Sequence, residues 1–425
     1  MTSKPKIGPM LKLVLGVGAV LSPLAQPLLK RRLAKGKEDP ARWREKLGET
    51  SAIRPDGPLV WMHGVGVGEV MALRGLIEHL ALERADLQFL VTSSARSSGE
   101  VFAQNLPTNT RHQYLPLDLP SPVEAFLDHW KPDLAVWSDQ EIWPRMVVTC
   151  ARRGIPQAYV AARIGKASAK AKARFGAAYG DLFRLLDARH AQDANSAKHM
   201  ADLMDDNTPV AVTGSIKAAG APLTFDPDVK NTFETIKNTR RMWLLASSHP
   251  ADEAIALAAH KIICDTDPGA LLIIAPRIIT RAGEVVEHAQ NHQLSASLRS
   301  INPTPDHATS VYIADTYGEL GSWYRAASIA LIGGTFDAVE GHNPWEAATL
   351  GAAILHGSRT SNFALDYEAL TAVQGCRLVH NAEDLAAAVL DPGTLELRRG
   401  AIEARASMSR GAMQITNNLL SLLKV

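Results

Sequence analysis

Short apolar runs recur along this chain, and most of them end in a polar loop rich in glycine or hydroxyl side chains. Helical patterning follows each loop. In the first half, Leu59–Met62, Leu87–Thr92, Leu134–Trp137, Gln157–Ala161, Ala188–Gln192 and Val210–Thr213 read as buried strands. In the second half, Met242–Ala246, Leu271–Ala275, Val311–Ala314, Ser328–Ile332 and Ala353–Leu355 read the same way. Strands alternating with helices predict doubly wound parallel sheets, whose polar strand ends gather along one edge. With 425 residues, two such domains are expected. Thr213-Gly214-Ser215-Ile216-Lys217 closes the first, the polar stretch Asp226 to Arg240 reads as the linker region, and a helix from about Leu395 to Leu423 is long enough to cross back. The division expected is residues 1–40, 41–222, 223–405 and 406–425, the second and third being Rossmann-like.

The stretch Gly333 to Gly351, GGTFDAVEGHNPWEAATLG, carries the densest chemistry. A strand runs into paired glycines, and a short loop leads to a helix for which Asn343 suits the N-cap and Pro344 the first position. Such a junction aims backbone N–H groups and a positive dipole end at one spot, which suits a phosphate. Glu346 adds a carboxylate able to accept hydrogen bonds from ribose hydroxyls. An ordinary capped helix is the plainer reading of the same residues.

In the first half, Leu59–Met62 runs into His63-Gly64-Val65-Gly66-Val67-Gly68-Glu69 and a helix from Val70 to about Glu83. This is not G-x-G-x-x-G, and the second strand ends in Thr92-Ser93-Ser94 instead of a ribose-binding acid, so a dinucleotide site is not expected. Glu69, at a helix N-terminus, is expected to stay ionised because the dipole favours the anion. A carboxylate so placed can take a proton from a sugar hydroxyl, or merely complement the dipole. Asp139 and Glu141, in Ser138-Asp139-Gln140-Glu141-Ile142-Trp143-Pro144, follow a parallel strand where ligands bind in open α/β sheets.

Met10 to Leu29, MLKLVLGVGAVLSPLAQPLL, has nearly the length that crosses a bilayer. Its glycines, prolines and Lys12 weaken it as a spanning helix. Lys30, Arg31, Arg32, Lys35 and Lys37 follow it, against Lys4 and Lys6 before it, a bias that keeps the bulk of the chain in the cytoplasm. The cluster also suits anionic headgroups. Anchoring is expected, with spanning and surface-lying modes both open and a buried domain helix as the plainer alternative. A net charge of +1 excludes the global basic field of a nucleic-acid binder. Cys150, Cys264 and Cys376 lack CxxC spacing, which argues against a disulfide framework or a zinc site.

Two Rossmann-like domains sharing a central cleft are the architecture of GT-B glycosyltransferases, at this point a fold-level analogy. HGVGVGE, SDQEIWP, VTGSIK, DTYGEL, GGT with EGHNPWEAA, and GSRTSNF occur in that order, and RWREKLG spans Arg42 to Gly48. Together these motifs resemble the family that transfers 3-deoxy-D-manno-octulosonic acid (Kdo) to lipid A precursors. The resemblance covers nearly the whole chain. It implies an α/β GT-B fold with an N-terminal membrane-anchor helix, and inverting transfer from CMP-Kdo to lipid IVA in lipopolysaccharide biosynthesis. It also implies a location at the cytoplasmic face of the inner membrane. By the same similarity Glu69 is the catalytic base, while Asp139, Glu141 and Arg163 lie on the acceptor side. Lys217, Arg277, Gly318, Glu319, Asn343 and Glu346 would bind the donor. No metal or other cofactor is implied, and no convincing Asp-x-Asp site is visible. The partners implied are CMP-Kdo, a lipid A precursor and membrane lipids, with no nucleic acid.

The chain departs from the family pattern in several places. Gly66 stands for the usual serine and Gly64 for a small residue such as alanine. Ala161 and Gly165 replace an asparagine and a serine, Ser215 an asparagine, and Ile278 the histidine of Pro-Arg-His. These changes leave open a paralogue handling a related acidic sugar or another acceptor, a sugar-nucleotide epimerase or hydrolase on the same fold, and a binding protein without turnover.

Overall fold

Alternation along the first strand sets up the first half of the molecule. Leu59 and Trp61 point into one core with Phe126, Trp130, Trp137 and Tyr159, whereas Val60 and Met62 point into another with Leu73, Leu76, Ile77 and Leu80. A sheet buried on both faces needs apolar residues at every position, which is why these strands read as unbroken apolar runs. The computed structural model describes residues 7–103, 106–219 and 223–423, so the expected cations Lys4 and Lys6 lie outside the described residues.

Seven parallel strands make the first sheet: β1 Leu59–His63, β2 Gln88–Ser93, β3 Thr110–Tyr114, β4 Leu134–Ser138, β5 Gln157–Ala162, β6 Ala188–Ala191 and β7 Ala211–Val212. Their order is β3-β2-β1-β4-β5-β6-β7. The second sheet also has seven parallel strands: β8 Met242–Ser248, β9 Leu271–Pro276, β10 Ala296–Leu298, β11 Val311–Ile313, β12 Ile329–Ile332, β13 Ala353–His356 and β14 Cys376–Leu378, in the order β10-β11-β9-β8-β12-β13-β14. The first order reverses beside β1; the second reverses beside β8, with β10 and β11 exchanged at its far edge. Such a reversal opens a crevice at the carboxyl ends of the strands. The chain divides into two compact units, Met1–Ala221 with Met408–Val425, and Pro222–Ser407. The last helix, Leu397–Leu422, gives its end from Met408 onward to the first unit.

Buried indoles in the first unit have fixed hydrogen-bond partners. Trp130 Nε1 donates to Gln113 Oε1 at 2.7 Å and Trp137 Nε1 to Gln157 Oε1 at 3.2 Å. That explains two glutamines inside strands. In the second unit Trp243, Leu245, Leu272, Ile274, Ile329 and Leu331 form the core on one face of the sheet.

The stretch read as a linker is partly a helix, Pro227–Lys237, and this corrects the sequence reading. Asp226 caps it by accepting the Asp228 N–H at 2.8 Å, and Pro227 sits in its first turn. Its polar composition belongs to the solvent face, since Val229 and Phe233, four residues apart, are buried. The N-terminal apolar segment forms helix Pro9–Leu21, a 3₁₀ turn Ser22–Leu24 at Pro23, and helix Ala25–Ala34. By length and composition this run is sufficient to cross a membrane.

Two glycines in helices test this packing in opposite directions. A Cβ added at Gly283 meets no atom within 4 Å, so Gly283→Ala should stabilise the protein by about 0.5–1 kcal/mol through helix propensity. At Gly411 an added Cβ would lie 1.8 Å from the Thr213 carbonyl oxygen. Gly411→Ala should therefore destabilise the first unit by about 1–3 kcal/mol despite its better propensity. Denaturant unfolding of the two variants beside the parent checks both signs.

Candidate functional site

Neighbouring strands β1 and β4 end at His63 and Ser138, so the loops after them share the reversal point of the first sheet. The β1 loop enters helix Val67–Glu83, and Glu69 occupies its first turn. Its carboxylate folds back to accept the Val65 N–H at 2.6 Å and the Gly66 N–H at 3.4 Å. The β4 loop supplies Asp139 and Glu141. Asp139 is held at φ 59° and Ala161, at the end of β5, at φ 47°, both in the left-handed region. Arg163 Nε donates to Asp139 Oδ1 at 3.2 Å, and Tyr159 donates its hydroxyl to the Asp139 carbonyl at 2.9 Å. Glu69, Asp139, Ala161, Gln192, Ser215 and Lys217 line one narrow pocket.

The electrostatics of this pocket add to the dipole argument for Glu69. Burial, then the nearby Asp139 carboxylate, raises the Glu69 pKa above its ordinary value, and this outweighs the two N–H groups that favour the anion. Glu141 adds to the same push. Its own pKa is raised by burial, with Lys172 opposing, and its buried Oε2 has no hydrogen-bond partner. Burial and its two carboxylate neighbours thus raise the proton affinity of Glu69, which is a stronger base for it.

In the second unit, the reversal point lies between β8 and β12. A Cβ on Gly333 would come within 2.3 Å of the Ser247 carbonyl oxygen, so the two strand ends approach as only glycine allows. The buried carboxylate of Asp252 ties this junction together. It accepts N–H groups of His249 at 3.0 Å, Gly334 at 2.6 Å and Phe336 at 3.0 Å. His249 Nε2 and His342 Nε2 are 2.9 Å apart, so one ring must donate and the other accept. Burial, with His249 and Arg277 nearby, pushes His342 down to about 4.

Regular helix runs from Trp345 to Leu350 with Pro344 at the cap position, which corrects the reading of Asn343 as N-cap and Pro344 as first helical residue; Asn343 still accepts the Trp345 N–H at 3.0 Å from one position earlier. Half-buried Glu346 is pushed up to about 7 by burial, with Arg277 acting against the shift. Arg277 is exposed at the end of β9, its N–H donating to the Ser248 carbonyl at 3.1 Å. Gly318, at φ 84°, is exposed before helix Leu320–Ala326. Glu319 is already engaged, accepting from Arg299 at 2.8 and 3.2 Å and from the Thr316 hydroxyl. Burial acts to raise its pKa, but Arg299 and Thr316 hold it below the ordinary value.

The first unit therefore brings Glu69, Asp139, Arg163 and Lys217 to one sheet edge, with Glu141 in the same loop as Asp139. The second unit brings Arg277, Asn343 and Glu346 to another, with Gly318 and Glu319 on the loop after β11. Sequence reasoning missed Asp252 and Lys172. Asp252 was findable as the acid three residues beyond the helix cap His249. Lys172 lies in the basic helix Lys166–Ala173, and no motif marked it.

Residues 41–219 match the family model described as 3-deoxy-D-manno-octulosonic-acid transferase (Kdo transferase). The Arabidopsis thaliana protein named as a mitochondrial 3-deoxy-D-manno-octulosonic acid transferase is 30% identical over 81% of this chain and 78% of its own length. The chain belongs to this family. It is a glycosyltransferase with the GT-B fold. A Haemophilus influenzae 3-deoxy-D-manno-octulosonic acid transferase is 28% identical over 94% of this chain and 96% of its own length. A solved glycosyltransferase from Rickettsia africae ESF-5 shares the fold, with a TM-score of 0.54 at 11% identity, covering 86% of this chain and 99% of that one.

The raised Glu346 pKa has a consequence for stability. An acid that is harder to ionise when folded stabilises at low pH and loses that contribution as pH rises from its unfolded value of 4.5 through about 7. Glu346→Gln should therefore leave stability near parent at pH 4.5 and raise it by about 1–3 kcal/mol at pH 8. Urea unfolding of the ligand-free protein at the two pH values checks this.

Proposed function

We propose that this glycosyltransferase moves Kdo from CMP-Kdo to a hydroxyl of a lipid A precursor such as lipid IVA, at the cytoplasmic face of the inner membrane. The observation that carries the mechanism is Glu69, a carboxylate with raised proton affinity at the carboxyl end of β1. In this reading Glu69 takes the proton of the acceptor hydroxyl as its oxygen attacks the anomeric carbon of the sugar. The bond from that carbon to the CMP phosphate breaks on the opposite side, which inverts the centre. Asp139 and Glu141 keep Glu69 basic, and Arg163 holds Asp139 in place.

CMP departs as a phosphate monoester, so negative charge grows on its oxygens as the bond breaks. The reading assigns that charge to Arg277 and Lys217, and assigns the phosphate and ribose to the Asn343–Glu346 segment. Arg and Lys near a leaving phosphate stabilise the transition state more than the ground state, which is the requirement for catalysis. No metal is assigned a part. Kdo carries its own carboxylate, so a further cation in the donor site is expected on charge grounds. Open space beside Gly66 and Gly165, where an added Cβ meets no atom within 4 Å, is the reason to test other CMP-activated acidic sugars beside CMP-Kdo.

The test is a mass-resolved assay with CMP-Kdo and lipid IVA. Glu69→Gln should lower turnover by about 10²–10⁴-fold while leaving CMP affinity unchanged, because a general base contributes on that scale. In the parent, activity should rise as pH passes the raised Glu69 pKa. Asp139→Asn removes the neighbouring charge, so the acid limb of the rate profile should move to lower pH. Undiminished turnover in Glu69→Gln would remove Glu69 from this role. Sugar release in the absence of any lipid would point to hydrolysis instead.

A further inference from the structure

The N-terminal helical run is apolar on two faces, and the structure gives those faces different environments. Leu11 is buried in the first unit's core, with Ile7 and Leu15 packed against it. Ala25 and Leu29 are buried further along. An added Cβ at Gly18 would lie 3.9 Å from the Asp118 carbonyl oxygen, so the middle of the run also lies against the protein. Positions 11, 15, 18, 25 and 29 fall on one helical stripe. A second stripe, Leu13, Val17, Val20, Leu24 and Leu28, is 51% to 79% exposed. Exposed patches of that extent on a folded unit mark an interaction surface.

Both ends of the run are fixed to the same unit. At the start, the Gly8 N–H donates to Asp181 Oδ2 at 2.7 Å, and the Arg145 guanidinium donates to the Leu15 carbonyl. At the far end, buried Glu38 accepts from Arg32 at 2.5 Å and pairs with Lys46 at 2.6 Å, while Lys46 donates to the Ser94 carbonyl at 2.9 Å. A run of 26 residues is about 39 Å long, enough for a bilayer core of about 30 Å. Spanning would place its two ends on opposite sides of the membrane. That requires pulling Leu11 out of the core, or carrying Asp181 and Arg145 into hydrocarbon.

We infer that the N-terminal helix lies flat in the headgroup–acyl boundary of an anionic bilayer and does not cross it. Leu13, Val17, Val20, Leu24 and Leu28 enter the acyl region, while Lys30, Arg31, Lys35 and Lys37, all exposed, meet the lipid phosphates. The inference rests on the proposed membrane-bound reaction, and it deepens that reading by fixing how the chain sits on the lipid.

Single-cysteine variants Leu13→Cys, Val20→Cys and Leu28→Cys, made on a Cys264→Ser background, carry an environment-sensitive fluorophore. Cys150 and Cys376 are buried. The full-length labelled proteins are bound to phosphatidylethanolamine–phosphatidylglycerol vesicles containing lipids doxyl-labelled either near the headgroup or deep in the chain. Flat insertion predicts equal quenching at all three positions, stronger by about twofold with the shallow label, as a depth of about 5–10 Å implies. Deep quenching at position 20 with shallow quenching at 13 and 28 would overturn flat insertion and leave membrane association standing. Failure to float with the vesicles would overturn both. Unquenched labels on a protein that elutes as a dimer would assign the stripe to a second copy and also overturn the inference.

Discussion

An acid three residues into a helix, folded back onto the turn before it, governs the geometry of each half of this protein. Glu69 does this after β1 by taking the Val65 and Gly66 N–H groups. Asp252 does it after β8 by taking that of His249, and it also takes the Gly334 and Phe336 N–H groups of the loop after β12. Both helices follow the strand beside which their sheet reverses order. A turn at such a place must expose backbone donors, because the loops on either side lead away in opposite directions. A carboxylate satisfies those donors at short range and fixes the turn. In the second unit Asp252 is fully buried and its three bonds are structural. In the first unit the same device leaves Glu69 half-buried and lining a pocket, where a carboxylate can exchange a proton.

The arrangement carries costs that stability alone would not favour. Asp139 and Glu141 both oppose the charge on Glu69, and Glu141 keeps a buried oxygen unpartnered. Left-handed backbone at Asp139, Ala161 and Ser247 adds about 1–3 kcal/mol of strain each, all three at the carboxyl ends of strands. In the first unit, strain at Asp139 and Ala161 and repulsion at Glu69 meet at the same strand ends. The gain is chemical. A solvated glutamate is a weak base near neutrality, while one raised by burial and by neighbouring charge holds a proton more strongly once it has taken it.

Much of this was legible in the sequence, because the strands are buried on both faces. Runs such as LVWM at Leu59 and LLIIA at Leu271 have no other reading in an α/β pattern. The strands the pattern missed are Thr110–Tyr114, Ala296–Leu298 and Cys376–Leu378, and each is the edge of its sheet. An edge strand is buried less and tolerates residues such as Arg111, Ser297 and Arg377, so its apolar signal fades. The helix Pro227–Lys237 was lost among polar residues because, among its described side chains, Val229 and Phe233 alone are buried. Motifs located Glu69, Asp139, Arg277, Asn343 and Glu346 at strand ends, but could not give their electrostatics. The Glu69 pKa depends on burial and on Asp139, seventy positions away in the chain, and dipole reasoning from the local helix includes neither.

The N-terminal run shows the same limit from the side of hydropathy. A helix that spans lipid and a helix packed between protein and lipid are both apolar around most of their circumference, so a window average treats them alike. What separates them is which neighbours satisfy the polar groups at the two ends. Here Asp181, Arg145, Glu38 and Lys46 supply those neighbours from residues as much as 173 positions apart. Lys12 and the prolines at 23 and 27 weakened the spanning reading without deciding it. Tertiary contacts favour a helix bound to its own domain along one stripe, which leaves the other stripe exposed. In the proposed flat mode the catalytic unit would sit at a fixed height above the headgroups. That constraint suits an acceptor whose reacting hydroxyl is itself held at the membrane surface by acyl chains.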